Sequence, residues 1–223
     1  MKLIFRPKGP AAQTPYKLLS LLFLYPDERI IEARPEILAA VAQLPASPQK
    51  EAIAAFCRYW AGATPTDLAR TYVETFDLQK RSGLYLSFYL HGDTRQRGMA
   101  LLRLKRLYRA AGLILEGQEL PDYLPVMLEF AAAAPPGYGE TILSDYRAAL
   151  ALIQRHLREM DSPYAHLIDA IQAGQPALSP AEQEHLGRLI ANGPPSEQVG
   201  LEPFAPPEVM PAREARRGAR QTS

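Results

Sequence analysis

The chain has 223 residues, 47% of them hydrophobic and 22% charged, which suits one large domain or two small ones with a real core. Its 25 lysines and arginines against 24 acidic residues leave a net charge of +1, and so balanced a chain argues against a dedicated nucleic-acid binder. Cys57 is the single cysteine, which excludes an intramolecular disulfide and a cysteine metal cage; it reads as a small buried apolar residue.

Residues Met1 to Pro10 are partly basic, with neither a long apolar stretch nor a cleavage-site pattern, so they do not read as a signal peptide. No apolar run reaches the roughly 20 residues that a bilayer span needs. A cytoplasmic location without membrane insertion is the expectation.

The prolines punctuate the chain. Five follow a Ser or Thr directly, as Thr14-Pro15, Ser47-Pro48, Thr64-Pro65, Ser162-Pro163 and Ser179-Pro180. A hydroxyl at the N-cap satisfies an orphan N–H, and Pro in the first turn has no N–H to leave unpaired, so each pair predicts a helix start. Ser179 and Glu182 add the spacing of a capping box. The predicted helices run Tyr16 to Tyr25, Asp27 to Leu44 with a bend or break at Pro35, Pro48 to Trp60 and Pro65 to Leu78. They continue with Leu84 to Leu90, then Thr94 to Ala111, capped by Asp93 or Gln96 and ended by Gly112. Asp122 to Ala134, a long Glu140 to Met160, Pro163 to Ala173 and Pro180 to Ala191 complete the set. No segment alternates apolar and polar residues between hairpin turns, so no sheet is expected. The domain organisation is a flexible N-terminus at 1–13, an all-helical domain at 14–191 and a mobile Pro/Arg-rich tail at 192–223.

A search for catalytic machinery returns little. The four histidines lack the H-E-x-x-H spacing of a helical zinc site, and there is no P-loop, no dinucleotide-binding glycine fingerprint and no nucleophile elbow. Glu129, between Leu128 and Phe130, is open to burial, although an exposed or capped carboxylate is the simpler reading. No enzyme, no metal and no bound cofactor is expected.

The stretch from Tyr72 to Phe130 is richer in unusual features. Tyr85, Phe88 and Tyr89 share one short helix, either as core or as the wall of a peptide groove. The helix Thr94 to Ala111 sets Ala100, Leu101, Leu104, Leu107, Tyr108 and Ala111 on one side. Arg95, Arg103, Lys105, Arg106 and Arg109 spread over the other, with Met99 and Leu102 among them; this is either a solvated face or a docking surface for an acidic partner.

Three runs in this stretch carry a resemblance: Tyr72 to Asp77 (YVETFD), His91 to Gly98 (HGDTRQRG) and Glu119 to Ala132 (ELPDYLPVMLEFAA). Together with the early helix Tyr16 to Pro26, they resemble the nitrate reductase molybdenum cofactor assembly chaperones, the NarJ-type delta subunits of the TorD-like redox-enzyme maturation family. The resemblance covers about Tyr16 to Leu157. It implies an all-α, single-domain helical bundle of the TorD-like type, here followed by a disordered C-terminal tail. It implies a cytoplasmic chaperone that binds the apo form of the nitrate reductase catalytic subunit, mainly through its N-terminal segment. The client is held ready for molybdenum cofactor and iron–sulfur cluster insertion before membrane docking, and cofactor-delivery proteins are the further implied partners. The alternative is a scaffold subunit that stays in the nitrate reductase complex. Of the wider group's E-P-x-D-H signature, Glu119 and Asp122 match the acidic positions, Pro121 is shifted by one and Tyr123 stands where His would be. A groove for the client peptide is expected around Tyr85, Phe88, Tyr89, Tyr123 and Met127, with Asp93, Arg95, Glu119 and Asp122 supplying charge.

Overall fold

Three of the Ser/Thr–Pro pairs start helices by the mechanism their sequence implies. The side chains of Thr14, Ser47 and Thr64 accept from the backbone N–H of Lys17, Lys50 and Asp67 respectively. Ser179 and Glu182 form the expected reciprocal box, with the Ser179 N–H donating to Glu182 Oε2 at 2.7 Å.

The structure is a computed structural model, and it describes residues 14–79, 81–175 and 177–192. The N-terminal segment 1–13, and the tail beyond its first residue, lie outside the described residues. Twelve α-helices are found among those described: α1 Pro15–Leu22, α2 Glu28–Glu32, α3 Arg34–Gln43, α4 Pro48–Gly62, α5 Pro65–Tyr72 and α6 Leu86–His91, followed by α7 Arg95–Ala110, α8 Leu124–Ala133, α9 Tyr138–Asp145, α10 Arg147–Glu159, α11 Ala165–Ala173 and α12 Pro180–Asn192. A π-turn, Val73–Asp77, extends α5. No strand forms among the described residues; one isolated antiparallel bridge joins Tyr85 to Tyr123. No described helix is long and apolar enough to cross a membrane.

The core is organised by two pairs of helices, α11 along α4 and α1 along α8. α8 is the central element. Residues Leu124 to Phe130 are all buried, so this helix has no solvent face over its first two turns. The aromatic centre lies next to it. Tyr164, at the start of α11, packs against Phe76 at 4.7 Å, Phe56 at 5.0 Å, Tyr72 at 6.1 Å and Phe23 at 6.3 Å between ring centroids. One ring thus ties α1, α4 and the α5 extension to α11. On α4 the predicted stripe Ile53, Phe56, Cys57 and Trp60 is buried, and the Arg34 guanidinium closes the helix end by donating to the Trp60 and Ala63 carbonyls at 3.2 and 3.0 Å.

Several expectations change. Glu129 is neither exposed nor an N-cap: it is buried in α8 and paired with Lys17 Nζ of α1 at 2.7 Å, a partner too distant in sequence for periodicity to suggest. The helix predicted from Glu140 to Met160 is broken at Tyr146, where φ is −110° and ψ is 16°. Apolar spacing persists across that break, because counting residues does not register a change of axis. The Pro35 region breaks at Ala33, with Pro35 in the first turn of α3. Neither Asp93 nor Gln96 caps α7; Thr94 is the N-cap residue and its hydroxyl turns back to the His91 carbonyl at 2.7 Å. Ser162 does not cap α11 either, since its hydroxyl meets Thr75 Oγ1 at 3.3 Å in the interior. The π-turn explains that meeting. One extra residue in the turn brings Thr75 inward, with its hydroxyl on Ser162 and its carbonyl accepting from the Ser82 hydroxyl.

Two predictions follow from the packing of α8. An ideal Cβ on buried Gly139 would stand 2.7 Å from both Cα and Cβ of Ala131, so Gly139→Ala must push α9 away from α8. The expected loss is about 1–3 kcal/mol in urea unfolding; an unchanged midpoint would contradict the contact. Glu129→Ala strands the Lys17 ammonium and should cost about 3–5 kcal/mol, while Lys17→Met combined with Glu129→Leu should recover most of it. A double mutant no more stable than Glu129→Ala would refute that account.

Candidate functional site

The resemblance runs meet where the chain from α5 passes the loop before α8. Two backbone hydrogen bonds stitch the segments together: Leu86 N–H donates to the Asp122 carbonyl at 3.0 Å, and Leu124 N–H donates to the Leu84 carbonyl at 2.8 Å. Between them Tyr85 and Tyr123 lie opposite each other with ring centroids 5.2 Å apart. The Tyr123 and Tyr72 hydroxyls are 3.2 Å apart, and the Tyr25 ring meets Tyr72 edge-on at 5.4 Å. The Tyr85 hydroxyl donates to Glu119 Oε1 at 3.1 Å. The result is a row running Tyr25, Tyr72, Tyr123, Tyr85, with Glu119 at its end. Tyr25 is exposed, Tyr85 and Tyr123 are half-buried and Tyr72 is covered.

The electrostatics of the row are acidic. Burial, and after it the Glu119 carboxylate, push the Tyr85 phenol up to about 12. Burial, and after it Tyr72, Glu119 and Asp77, push the Tyr123 phenol well above its ordinary range. The hydroxyls therefore stay neutral at physiological pH and act as donors and acceptors. Glu119 and the exposed Asp77 supply negative charge to the surface around them.

Asp122 holds this arrangement from behind. It is fully buried, and its Oδ2 accepts from the Ser87 N–H at 3.2 Å and from the Ser87 hydroxyl at 2.6 Å. It thus serves the first turn of α6 as a cap contributed from another loop. Arg97 of α7 faces the same oxygen at 3.9 Å and places its guanidinium over the Phe88 ring at 5.9 Å.

The structure therefore sorts the nine expected groove residues. Tyr85, Tyr123 and Glu119 are brought together on one surface. Asp122 lies beneath them, and Met127 is fully buried inside α8. Tyr89 is buried, with its hydroxyl donating to the Gly83 carbonyl at 2.8 Å. Phe88 lies mid-way along α6 under the Arg97 guanidinium, and Asp93 and Arg95 follow that helix, where Asp93 is exposed and faces Arg97 at 4.0 Å. Sequence reasoning passed over Tyr25 and Tyr72 as site residues. Both stand inside the quoted runs, but nothing in their spacing links them to Tyr123.

No group of three or more His, Cys, Asp or Glu among the described residues is placed to hold a metal ion. Burial pushes the Cys57 thiol up to about 11, which keeps it a neutral thiol rather than a nucleophile.

Residues 43–170, from the end of α3 into α11, match the family model described as nitrate reductase delta subunit. A probable nitrate reductase molybdenum cofactor assembly chaperone NarJ of Bacillus subtilis (strain 168) is 34% identical over 161 residues, covering 72% of this chain and 88% of that protein. The nitrate reductase molybdenum cofactor assembly chaperone NarJ of Escherichia coli (strain K12) is 33% identical over 156 residues, covering 69% of this chain and 66% of that protein. The nitrate reductase-like protein NarX of Mycobacterium tuberculosis (strain ATCC 25618 / H37Rv) is 36% identical over 156 residues, a match that takes 70% of this chain and spans only 23% of that longer protein. With the shared stretch covering more than half its length, the chain belongs to the nitrate reductase delta subunit family.

Proposed function

We propose that this protein is a client-specific cytoplasmic chaperone for a nitrate reductase. It binds the apo catalytic subunit, mainly through that subunit's N-terminal segment. It keeps the subunit open to molybdenum cofactor and iron–sulfur cluster insertion until docking at the membrane, and cofactor-delivery proteins reach the client while it is held. The observation that carries this reading is that Tyr72, Tyr85, Glu119 and Tyr123 fall within residues 43–170, the stretch shared with the delta subunit family. The Bacillus subtilis and Escherichia coli relatives are named as molybdenum cofactor assembly chaperones.

The tyrosine row suits a peptide. Tyrosine offers a large, rigid apolar face with a polar tip, so it binds an amphipathic helix without reacting with it. Glu119 and Asp77 favour basic residues on that helix. Asp122, Met127 and Tyr89 support the surface from within, while Phe88, Asp93 and Arg95 extend it around α6.

A synthetic peptide from the N-terminus of the client subunit should bind the full chain in calorimetry with about −8 to −12 kcal/mol, that is, in the micromolar to nanomolar range. Absence of heat with the peptide, together with no capture of the full apo subunit, would sink the proposal. Recovery of the chain in stoichiometric amounts with mature, cofactor-loaded enzyme would favour a retained scaffold subunit instead. Tyr85→Ala and Glu119→Gln should each weaken the peptide about tenfold while costing less stability than the loss of a fully buried side chain, as expected for half-buried contacts at a surface. Tyr89→Ala should do the reverse, lowering stability by about 3–5 kcal/mol through loss of a buried ring. Asp122→Ala should lower both, because it releases the α6 cap and the loop carrying Tyr123.

A further inference from the structure

α7 is basic beyond anything the fold requires. Its 16 residues include Arg95, Arg97, Arg103, Lys105, Arg106 and Arg109 and no acidic residue. Only Leu104 and Tyr108 of this helix are buried. Arg97 serves Asp122, and Arg103 reaches Asp145 of α9 at 3.2 Å on the surface. Lys105, Arg106 and Arg109 have no ion pair or hydrogen bond among the described residues. Three cations within two turns repel one another, and the described residues give them no compensating contact.

Beside this helix lies a groove of about 650 Å³. Its floor is apolar, formed by Leu90 of α6, Leu104 and Leu107 of α7, Ile142 of α9 and Tyr146 between α9 and α10. Arg103 and Arg106 also line it; Arg103 is paired with Asp145 of the same lining, which leaves Arg106 as the cation there without an ion pair among the described residues. Met99 and Leu102, also lining it, are 60% and 50% exposed, which is costly for large apolar side chains without a partner. The spacing Met99, Leu102, Arg103, Arg106 is i, i+3, i+4, i+7, the pattern of one helix face offered to another. Tyr85 precedes α6, whereas Leu90 and His91 close it, so the groove and the tyrosine row sit at opposite ends of that helix.

We propose that this groove is a second docking site, and that its occupant is an acidic amphipathic helix of a partner protein. The apolar face of that helix lies over Leu104, Leu107, Ile142 and Tyr146, and its carboxylates meet Arg106 and Arg109. Charge complementarity selects the occupant, since Arg106 and Arg109 attract carboxylates and repel a basic segment of the kind that Glu119 and Asp77 favour. Concavity selects a peptide over a lipid surface. Side chains projecting from a helix enter a concave groove, whereas a flat headgroup layer does not. The site goes beyond the client-peptide reading and does not depend on it.

The test is fluorescence anisotropy on the full-length chain with a labelled peptide of about 16 residues, carrying leucines at i, i+3, i+4 and i+7 and glutamates between them. Micromolar binding is expected. Arg106→Glu with Arg109→Glu should weaken it at least tenfold, raised salt should weaken it, and Tyr85→Ala should leave it unchanged. Leu107→Ser should also weaken it, with circular dichroism melts identifying any variant that has lost its fold; the surface arginine pair then decides alone. No binding of the glutamate peptide would overturn the proposal, as would equal binding of its lysine counterpart. Displacement by phosphatidylserine vesicles would assign the surface to a membrane, and displacement by a synthetic peptide of residues 195–210 would assign it to this chain's own sequence; each outcome overturns the partner-helix reading.

Discussion

The buried carboxylate of Asp122 is the constraint on which the functional surface depends. A charge removed from water costs several kcal/mol unless it is met by donors and a countercharge. Here the Ser87 amide and hydroxyl supply the donors and Arg97 the countercharge. Those partners come from α6 and α7, while Asp122 itself belongs to the loop leading into α8. Partnering its Oδ2 therefore fixes three elements relative to one another, while Oδ1 is buried with no hydrogen-bond partner among the described residues. The two backbone bonds flanking Tyr85 and Tyr123 complete the join, and the tyrosine row is its outer face. Behind it, the Tyr108 hydroxyl donates to the Pro121 carbonyl at 2.5 Å and holds the same loop against α7.

The helices were legible because their signals are local. A hydroxyl followed by proline acts within one turn, and the stripe Ile53, Phe56, Cys57 and Trp60 needs only a count of residues. What escaped was long-range. Lys17 and Glu129 lie 112 positions apart, and no periodicity connects them. The π-turn at Val73–Asp77 carries no glycine or proline to announce it, and the interior hydrogen bonds that reward it come from Ser82 and Ser162. Of the candidate site, the aromatic and acidic character was readable, and so was the run Glu119 to Tyr123. Which of those side chains face outward was not, because the helix expected from Leu84 begins only at Leu86, so Tyr85 stands before it and packs on Tyr123 while Tyr89 lies within it and turns to the Gly83 carbonyl.

The near-zero net charge hides a division of sign. Carboxylates gather around the tyrosine row, whereas α7 carries six cations and no acid. Averaged over the chain these cancel, which is why composition pointed to no charged partner. Local charge of this kind governs encounter and register more than final affinity.

Trp60 gives the fold a consequence of a different sort. It is the single tryptophan of the chain, is 2% exposed and sits on α4, where the Arg34 guanidinium bonds its carbonyl. Its indole makes no ring contact with the tyrosine row among the described residues. Intrinsic emission excited at the indole therefore reports whether the α3–α4 interior is intact. A variant that keeps this emission while binding peptide more weakly has lost a contact and not the scaffold.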